Sequence, residues 1–377
     1  MYNILIITGR YLPGYKDGGP VRTIKNLTDL LGSKYHFTIA CSDRDHGDIK
    51  PYDGIDEGLN RVGKADVAYM KDGRFSFSSI VKLAKKNDLT YVCGPYNGYA
   101  IKALILNRLG FIKCPFVLAP MGSFSKGALA IKSSKKKIFF MLVKVLGLFK
   151  KVSFSVTSSV EEEELKYALN LKNKCYIARD PQRAIDESLK HECYKKDNKL
   201  QVVFLSRISE KKNLDGAIDI LSKVTGNVNF SIYGNVEDRE YFSRCEEKLK
   251  KLPGNISWEY KGMADTEKVP GILSQYDVFL FPTHGENFGH VISEALSAGT
   301  IPVISDTTPW LDLNKYGAGY VINHDEIEGF RAVIDRLCSM SEDEIRTISD
   351  NAYEYYRRDY EHSIEHNGYS EMFDELL

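Results

Sequence analysis

The sequence predicts an α/β protein built from two doubly wound parallel sheets. Three observations carry this. Short apolar strands alternate with amphipathic helices along most of the chain, the pattern of a parallel sheet covered on both faces. The alternation dissolves once, between about 178 and 199, in "ARDPQRAIDESLKHECYKKDNK", and then begins again. Finally, 377 residues exceed what one ordinary core holds, so two domains are expected.

The first half opens with a buried-type strand, Ile4–Thr8, a Gly-rich loop from Gly9 to Gly19, and a helix from Pro20 with Ile24, Leu27 and Leu31 on one face. Strands follow at Phe37–Cys41, Thr90–Cys93 and Phe116–Ala119, with helical patterns between them such as Tyr99–Leu109. Residues 1–180 form the expected first domain and 181–198 a linker. The second domain, 199–357, starts with strand "QVVFLS", a Lys-rich turn and helix Leu214–Val224. Strand "NFSIYG", helix Glu237–Lys251, "ISWEYKG", helix Thr266–Ser274, strand "DVFLFPT", a short helix and "TIPVIS" complete it. A terminal helix over 358–377 is expected to pack back on the first domain.

Composition excludes several classes. Lysine plus arginine and aspartate plus glutamate both number 51, so no global field attracts nucleic acid. The seven cysteines are dispersed, with no metal-type spacing, and read as buried free thiols of a reducing cytoplasm. "MYNILIITGR" reads as a first strand, not a signal peptide. The apolar run Ile138–Phe149 is interrupted by Lys144 and is too short to span a bilayer.

Ligands of doubly wound sheets sit outside the carboxyl ends of strands. There the sequence places "GENFGHVISEALSAG", Gly285–Gly299. A helix starting near Gly289–His290 would aim its first amides at a ligand, and Gly285 and Gly289 would let the backbone approach it. Glu286 and Glu294 could each grip a vicinal diol; both also suit an ordinary helix start. In "FLSRISEKKNLDGAIDIL" a strand ends with Arg207, and Lys212 stands just before a helix. Two cations so placed could hold a diphosphate, whereas Lys211 reads as a solvated loop residue.

Arg207 to Lys212, followed by the E-x7-E element, resembles the nucleotide-sugar site of the family-4 retaining glycosyltransferases. The likeness extends to "GRYLPGYKDGGPVRTI", "YGN" and the terminal helix. It implies a GT-B fold: two Rossmann-like doubly wound domains facing across a cleft. It also implies roles. Glu286 would meet the donor sugar, helped by the amides of Asn287, Phe288, Gly289 and His290. Glu294 would hold the ribose, and Arg207 and Lys212 the departing diphosphate. Gly18 and Gly19 would bring backbone to the phosphates or acceptor, and Met263 would meet the nucleobase through its main chain. Met121 stands where many relatives carry a histidine near the donor sugar, and methionine cannot donate to a hydroxyl.

With two cations at the diphosphate, no metal and no cofactor is expected. The D-x-D at Asp43–Asp45 reads as a loop with helix-capping acids. "IKSSKKKIFFMLVKVLGLFKK", residues 131–151, reads as a buried helix with solvated lysines, as a basic, apolar surface resting on an anionic membrane, or as both. The expected partners are therefore a UDP-linked sugar, a glycan or lipid-linked acceptor, and the inner face of the plasma membrane, in surface-polysaccharide synthesis. A nucleotide-sugar epimerase of the same architecture and a non-catalytic sugar-nucleotide-binding subunit are the alternatives.

Overall fold

A computed structural model of the chain describes residues 1–124, 133–170, 172–191, 195 and 198–377. It divides into two compact units, Met1–Pro181 with Glu365–Leu377, and Gln182–Ile364.

Among the described residues unit 1 carries eight strands: β1 (Asn3–Ile7), β2 (His36–Ser42), β3 (Leu59–Val62), β4 (Ala65–Met70), β5 (Leu89–Cys93), β6 (Phe116–Ala119), β7 (Ser153–Val156) and β8 (Cys175–Ile177). Their order is β3-β4-β2-β1-β5-β6-β7-β8. All pairings are parallel except β3 with β4. Both faces of β1 are buried, as its unbroken apolar run requires. Leu5 and Ile7 join one core, while Ile4 and Ile6 join another with Val21, Ile24 and Leu27 of helix Gly19–Leu31. The hairpin β3–β4 and strands β7 and β8 are absent from the sequence reading. Strand β3 alternates exposed and half-buried residues and is only four residues long, which gives periodicity little to work on.

Unit 2 carries, among the described residues, six strands in one parallel sheet: β9 (Leu200–Leu205), β10 (Val228–Tyr233), β11 (Ile256–Gly262), β12 (Val278–Phe281), β13 (Ile301–Ser305) and β14 (Tyr320–Ile322). The order β11-β10-β9-β12-β13-β14 reverses direction between β9 and β12, which pair Val202 with Val278 and Val203 with Phe279. That reversal is the topological switch point, where loops after neighbouring strands diverge and leave a crevice.

Two expected boundaries move. Of the predicted linker, residues 182–191 belong to unit 2, because a buried carboxylate needs donors. Asp277 accepts from the Gln201 amide at 2.7 Å and lies 3.2 Å from Nε2 of His191, both side chains fully buried. Likewise 358–364 stay in unit 2, inside helix Glu342–Glu365. Asp359 accepts from Gln182 at 2.9 Å, and the buried Tyr356 donates to the Arg183 carbonyl. The helix that rejoins unit 1 is Gly368–Leu376, capped by Asn367, with Tyr369, Met372 and Phe373 buried in the core of Ile4 and Ile6. Of the cysteines, Cys41, Cys93 and Cys245 are buried, Cys114, Cys175 and Cys338 are half-buried, and Cys193 lies outside the described residues.

Candidate active site

The loops after β9 and β12 are stitched together through backbone. Lys211 O accepts from His284 N at 3.0 Å and lies 3.1 Å from Thr283 Oγ1. Asn213 Nδ2 donates to Pro282 O at 2.7 Å, while its Oδ1 caps helix Leu214–Leu221. This pairing brings Lys212 Nζ to 2.5 Å from Glu286 Oε1. The two side chains are only 12% and 10% exposed. Burial holds the Lys212 ammonium below the usual lysine range, and the nearby charges of Arg207 and Lys211 add to this; Glu286 opposes it. Beneath lies the Phe281 ring, 5.6 Å from Nζ. Thr283 Oγ1 also lies 3.1 Å from the same Glu286 oxygen, its one proton serving either this carboxylate or Lys211 O, and Glu286 N donates to Thr307 O at 3.2 Å. Two residues with separate expected roles thus form one buried ion pair.

Helix His290–Ser297 follows, with Gly289 as its N-cap in the left-handed region at φ 82°. A Cβ there would also meet Ile292 Cδ1 at 2.9 Å, so the position favours glycine twice over. Phe288 is a core anchor. Its carbonyl accepts from Trp310 Nε1 at 2.7 Å, and its ring lies 5.5 Å from Trp310 and 4.9 Å from His290. Glu294, in the same helix, is 7% exposed. Its charge, after burial and Tyr360, helps push the Tyr356 phenol up. Asn287 is half-buried in the turn.

Arg207 is placed differently. It is 44% exposed and pairs with Glu237 at 2.6 Å. Glu237 is held beside it because its amide donates to Ile208 O at 3.2 Å and Ile208 N donates to Asn235 O at 2.8 Å. Gly234, in "YGN", makes that approach feasible, since a Cβ would lie 1.8 Å from Ser206 O. Met263 is exposed and follows Gly262, whose carbonyl accepts from Gly234 N at 2.9 Å.

The remaining expected residues lie in unit 1. Gly18 (φ 65°) precedes helix Gly19–Leu31, whose N-terminus has no side-chain cap; Gly19 is its first residue. Met121 also has a positive φ, 52°, rare for a non-glycine residue. The next amide, Gly122 N, donates to the buried Glu161 at 2.6 Å, and Thr157 donates to Glu161 through N and Oγ1. Burial raises the Glu161 carboxyl above its ordinary range.

Asp43 and Asp45 cap no helix, contrary to the sequence reading. Asp43 pairs with Arg44 at 2.9 Å and accepts from Asp72 N. Asp45 accepts from Tyr15 N and Lys16 N, fixing the loop before Gly18. Among the described residues, no three His, Cys, Asp or Glu side chains gather as a metal would require. Of 131–151, residues 131 and 132 and the side chains of Lys135, Lys136 and Lys137 lie outside the described residues. Helix Ser133–Leu146 buries Phe139 and Val143 but exposes Met141, Leu142, Val145 and Leu146.

Sequence reasoning missed Thr283, Asn213, Glu237 and Glu161. Each acts through another residue, and threonine or asparagine after a strand is too common to stand out.

Residues 186–355 match the model of a family described as glycosyl transferases group 1. An uncharacterized 41.2 kDa protein of the cps region of Klebsiella pneumoniae is 24% identical, over 84% of this chain and 86% of its own. A GDP-mannose:cellobiosyl-diphosphopolyprenol alpha-mannosyltransferase of Xanthomonas oryzae pv. oryzae is 29% identical over 26% of each chain. In fold, the chain is similar to Anabaena HepE, solved in complex with UDP and glucose, with TM-score 0.70, 16% identity and 96% of both chains covered.

Proposed function

Because this chain belongs to the group 1 glycosyltransferases and has their GT-B fold, we propose that it moves a sugar, with retention, from a UDP-linked donor to a glycan or lipid-linked oligosaccharide in surface-polysaccharide synthesis. The observation that carries the reading is the buried Lys212–Glu286 pair, 2.5 Å apart, at the adjoining carboxyl ends of β9 and β12. The switch point is where a doubly wound sheet takes its ligand. A buried ammonium held charged by a carboxylate suits the charge that develops on a diphosphate as the bond to the anomeric carbon breaks. Arg207, more exposed, adds the second positive charge. Glu286 then meets the sugar and Glu294 the ribose, with the Asn287–His290 amides along the donor and Met263 at the base. Gly18, Gly19 and Met121 keep, within this proposal, the roles that the resemblance implies. With two cations on the leaving group, the reaction needs no divalent ion and no cofactor.

The surface-polysaccharide setting draws support from the cps-region relative, and the lipid-linked acceptor from the Xanthomonas enzyme. Attachment to the inner face of an anionic plasma membrane through 131–151 belongs to the same reading. The exposed apolar residues of helix Ser133–Leu146 support it, and no helix among the described residues is long and apolar enough to cross a bilayer.

A thermal-shift panel of UDP- and GDP-linked sugars tests the donor. A ligand at one hundred times its Kd stabilises the native state by about 2.7 kcal/mol. A UDP-sugar should raise the midpoint equally with and without excess chelator, and once an acceptor is supplied the transferred sugar in the glycoside product should keep the donor's anomeric configuration by NMR. A shift confined to GDP-sugars would replace the UDP assignment, and a shift abolished by chelator would overturn metal independence.

A further inference from the structure

Charge in this chain balances overall but not locally. From residue 89 to residue 160 there are eleven lysines and arginines and not one aspartate or glutamate. Part of this basic stretch borders an apolar groove of about 730 Å³ in unit 1. Helices Phe77–Ala84 and Gly98–Arg108 form its walls, and the turn to Phe111 closes one end. Phe77, Val81, Ile105, Leu106, Leu109 and Phe111 line it, with Lys82 and Lys85 on one wall. Leu109 and Phe111 are 65% and 56% exposed, which large apolar side chains side by side rarely are without a partner.

Lys82, Lys85, Lys86 and Lys113 are all exposed. Lys102 instead lies 5.9 Å from the Phe77 ring centroid and donates to Phe75 O, bracing the groove from within. Asn107, on the same helix as Ile105 and Leu106, donates to Lys151 O at 3.1 Å, so the helix that walls the groove also contacts the turn after helix Ser133–Leu146. That turn carries Lys150 and Lys151, and the helix before it exposes Val145 and Leu146. Apolar surface rimmed by cations, with Asp88 the single carboxylate residue from 73 to 160, matches one chemistry, a hydrocarbon chain attached to an anionic headgroup.

We propose that this groove seats an acyl chain of an anionic bilayer phospholipid, with Lys82 and Lys85 at its phosphate, and so anchors unit 1. The proposal deepens the membrane reading given above and rests on it. It moves the main apolar contact from helix Ser133–Leu146 to residues 77–111.

The test uses the full chain and phosphatidylglycerol–phosphatidylcholine vesicles. Sedimentation at low salt should carry the parent chain down, and salt should weaken this by screening. Leu109→Ser with Phe111→Ser should weaken binding at least tenfold. Lys82→Gln with Lys85→Gln should weaken it less and flatten its salt dependence. In a Phe111→Trp variant, lipids brominated on the acyl chain should quench the added fluorescence. If both groove pairs bind like the parent and Trp fluorescence is unquenched, while Lys135→Gln, Lys136→Gln and Lys137→Gln together abolish binding, the groove is overturned and the membrane reading stands. Absence of vesicle binding at low salt would overturn both. A parent dimer that Leu109→Ser with Phe111→Ser converts to monomer would assign the groove to a second copy instead.

Discussion

The two sheets reverse direction in the same way, between β1 and β5 in one unit and between β9 and β12 in the other. Their loops are nevertheless built for different tasks. After β9 and β12, backbone bonds lock two loops together and bury an ion pair. After β1, Arg10 and Asp17 pair at 3.0 Å while 27% and 25% exposed, and Asp45 holds the loop by its amides. The unit 1 loop ends in Gly18, where a Cβ would meet nothing within 4 Å. Topology sets where a ligand can sit; the side chains at the strand ends set what it can be.

If the unit 2 pair is as coupled as its geometry implies, breaking it should have the largest effect. Glu286→Ala strands a buried ammonium and should cost about 3–5 kcal/mol in denaturation, most of it regained in Lys212→Met with Glu286→Ala. Additive losses in the double variant would show that the two act independently. Glu294→Ala should weaken binding of UDP and of the intact donor alike by roughly 1.5–3 kcal/mol in calorimetry, one charge-assisted hydrogen bond. A loss confined to the intact donor would move Glu294 from the ribose to the sugar.

In unit 1, Gly18→Ala should cost about 1–3 kcal/mol of stability from backbone strain alone, because the space beside it is open. An unchanged melting curve would remove the argument that this loop requires glycine. Smallest of all, Arg207→Gln should change stability by about 0.2–1 kcal/mol, since its pair with Glu237 is exposed, and that change should shrink in salt. A loss as large as that of Glu286→Ala would erase the contrast between a buried and an exposed cation.

The same contrast explains what the sequence disclosed. Unit 2 was legible because its central strands β9, β12 and β13 are buried along their whole length and its candidate site is concentrated in two short loops, 206–213 and 282–289. Lys212 and Glu286 could be named, yet their pairing could not, because it depends on β9 lying beside β12 although 72 residues separate Leu205 from Val278 at the strand ends. Helix boundaries failed where polar helices give no stop signal. Tyr353, Tyr356 and Tyr360 carry one helix through residue 358, where the sequence placed a break. The linker failed for a different reason. A charged stretch reads as solvated, but His191 is fully buried against Asp277, a partner 86 positions away.

In the proposed function Lys212 grips the diphosphate while Glu286, though paired with it, serves the sugar. Glu286→Ala cannot separate these roles, because it also strands Lys212; Glu286→Gln keeps a hydrogen-bond acceptor and is the better probe. Calorimetric titration of UDP into the parent chain, Lys212→Met and Glu286→Gln tests the claim directly. Lys212→Met should weaken UDP by roughly 1.5–3 kcal/mol, as loss of a charge-assisted contact does. Glu286→Gln should leave UDP affinity within about threefold of the parent, while turnover of the matched donor falls by about 10²-fold through misplacement of the sugar. UDP binding to Lys212→Met as tightly as to the parent would contradict the account.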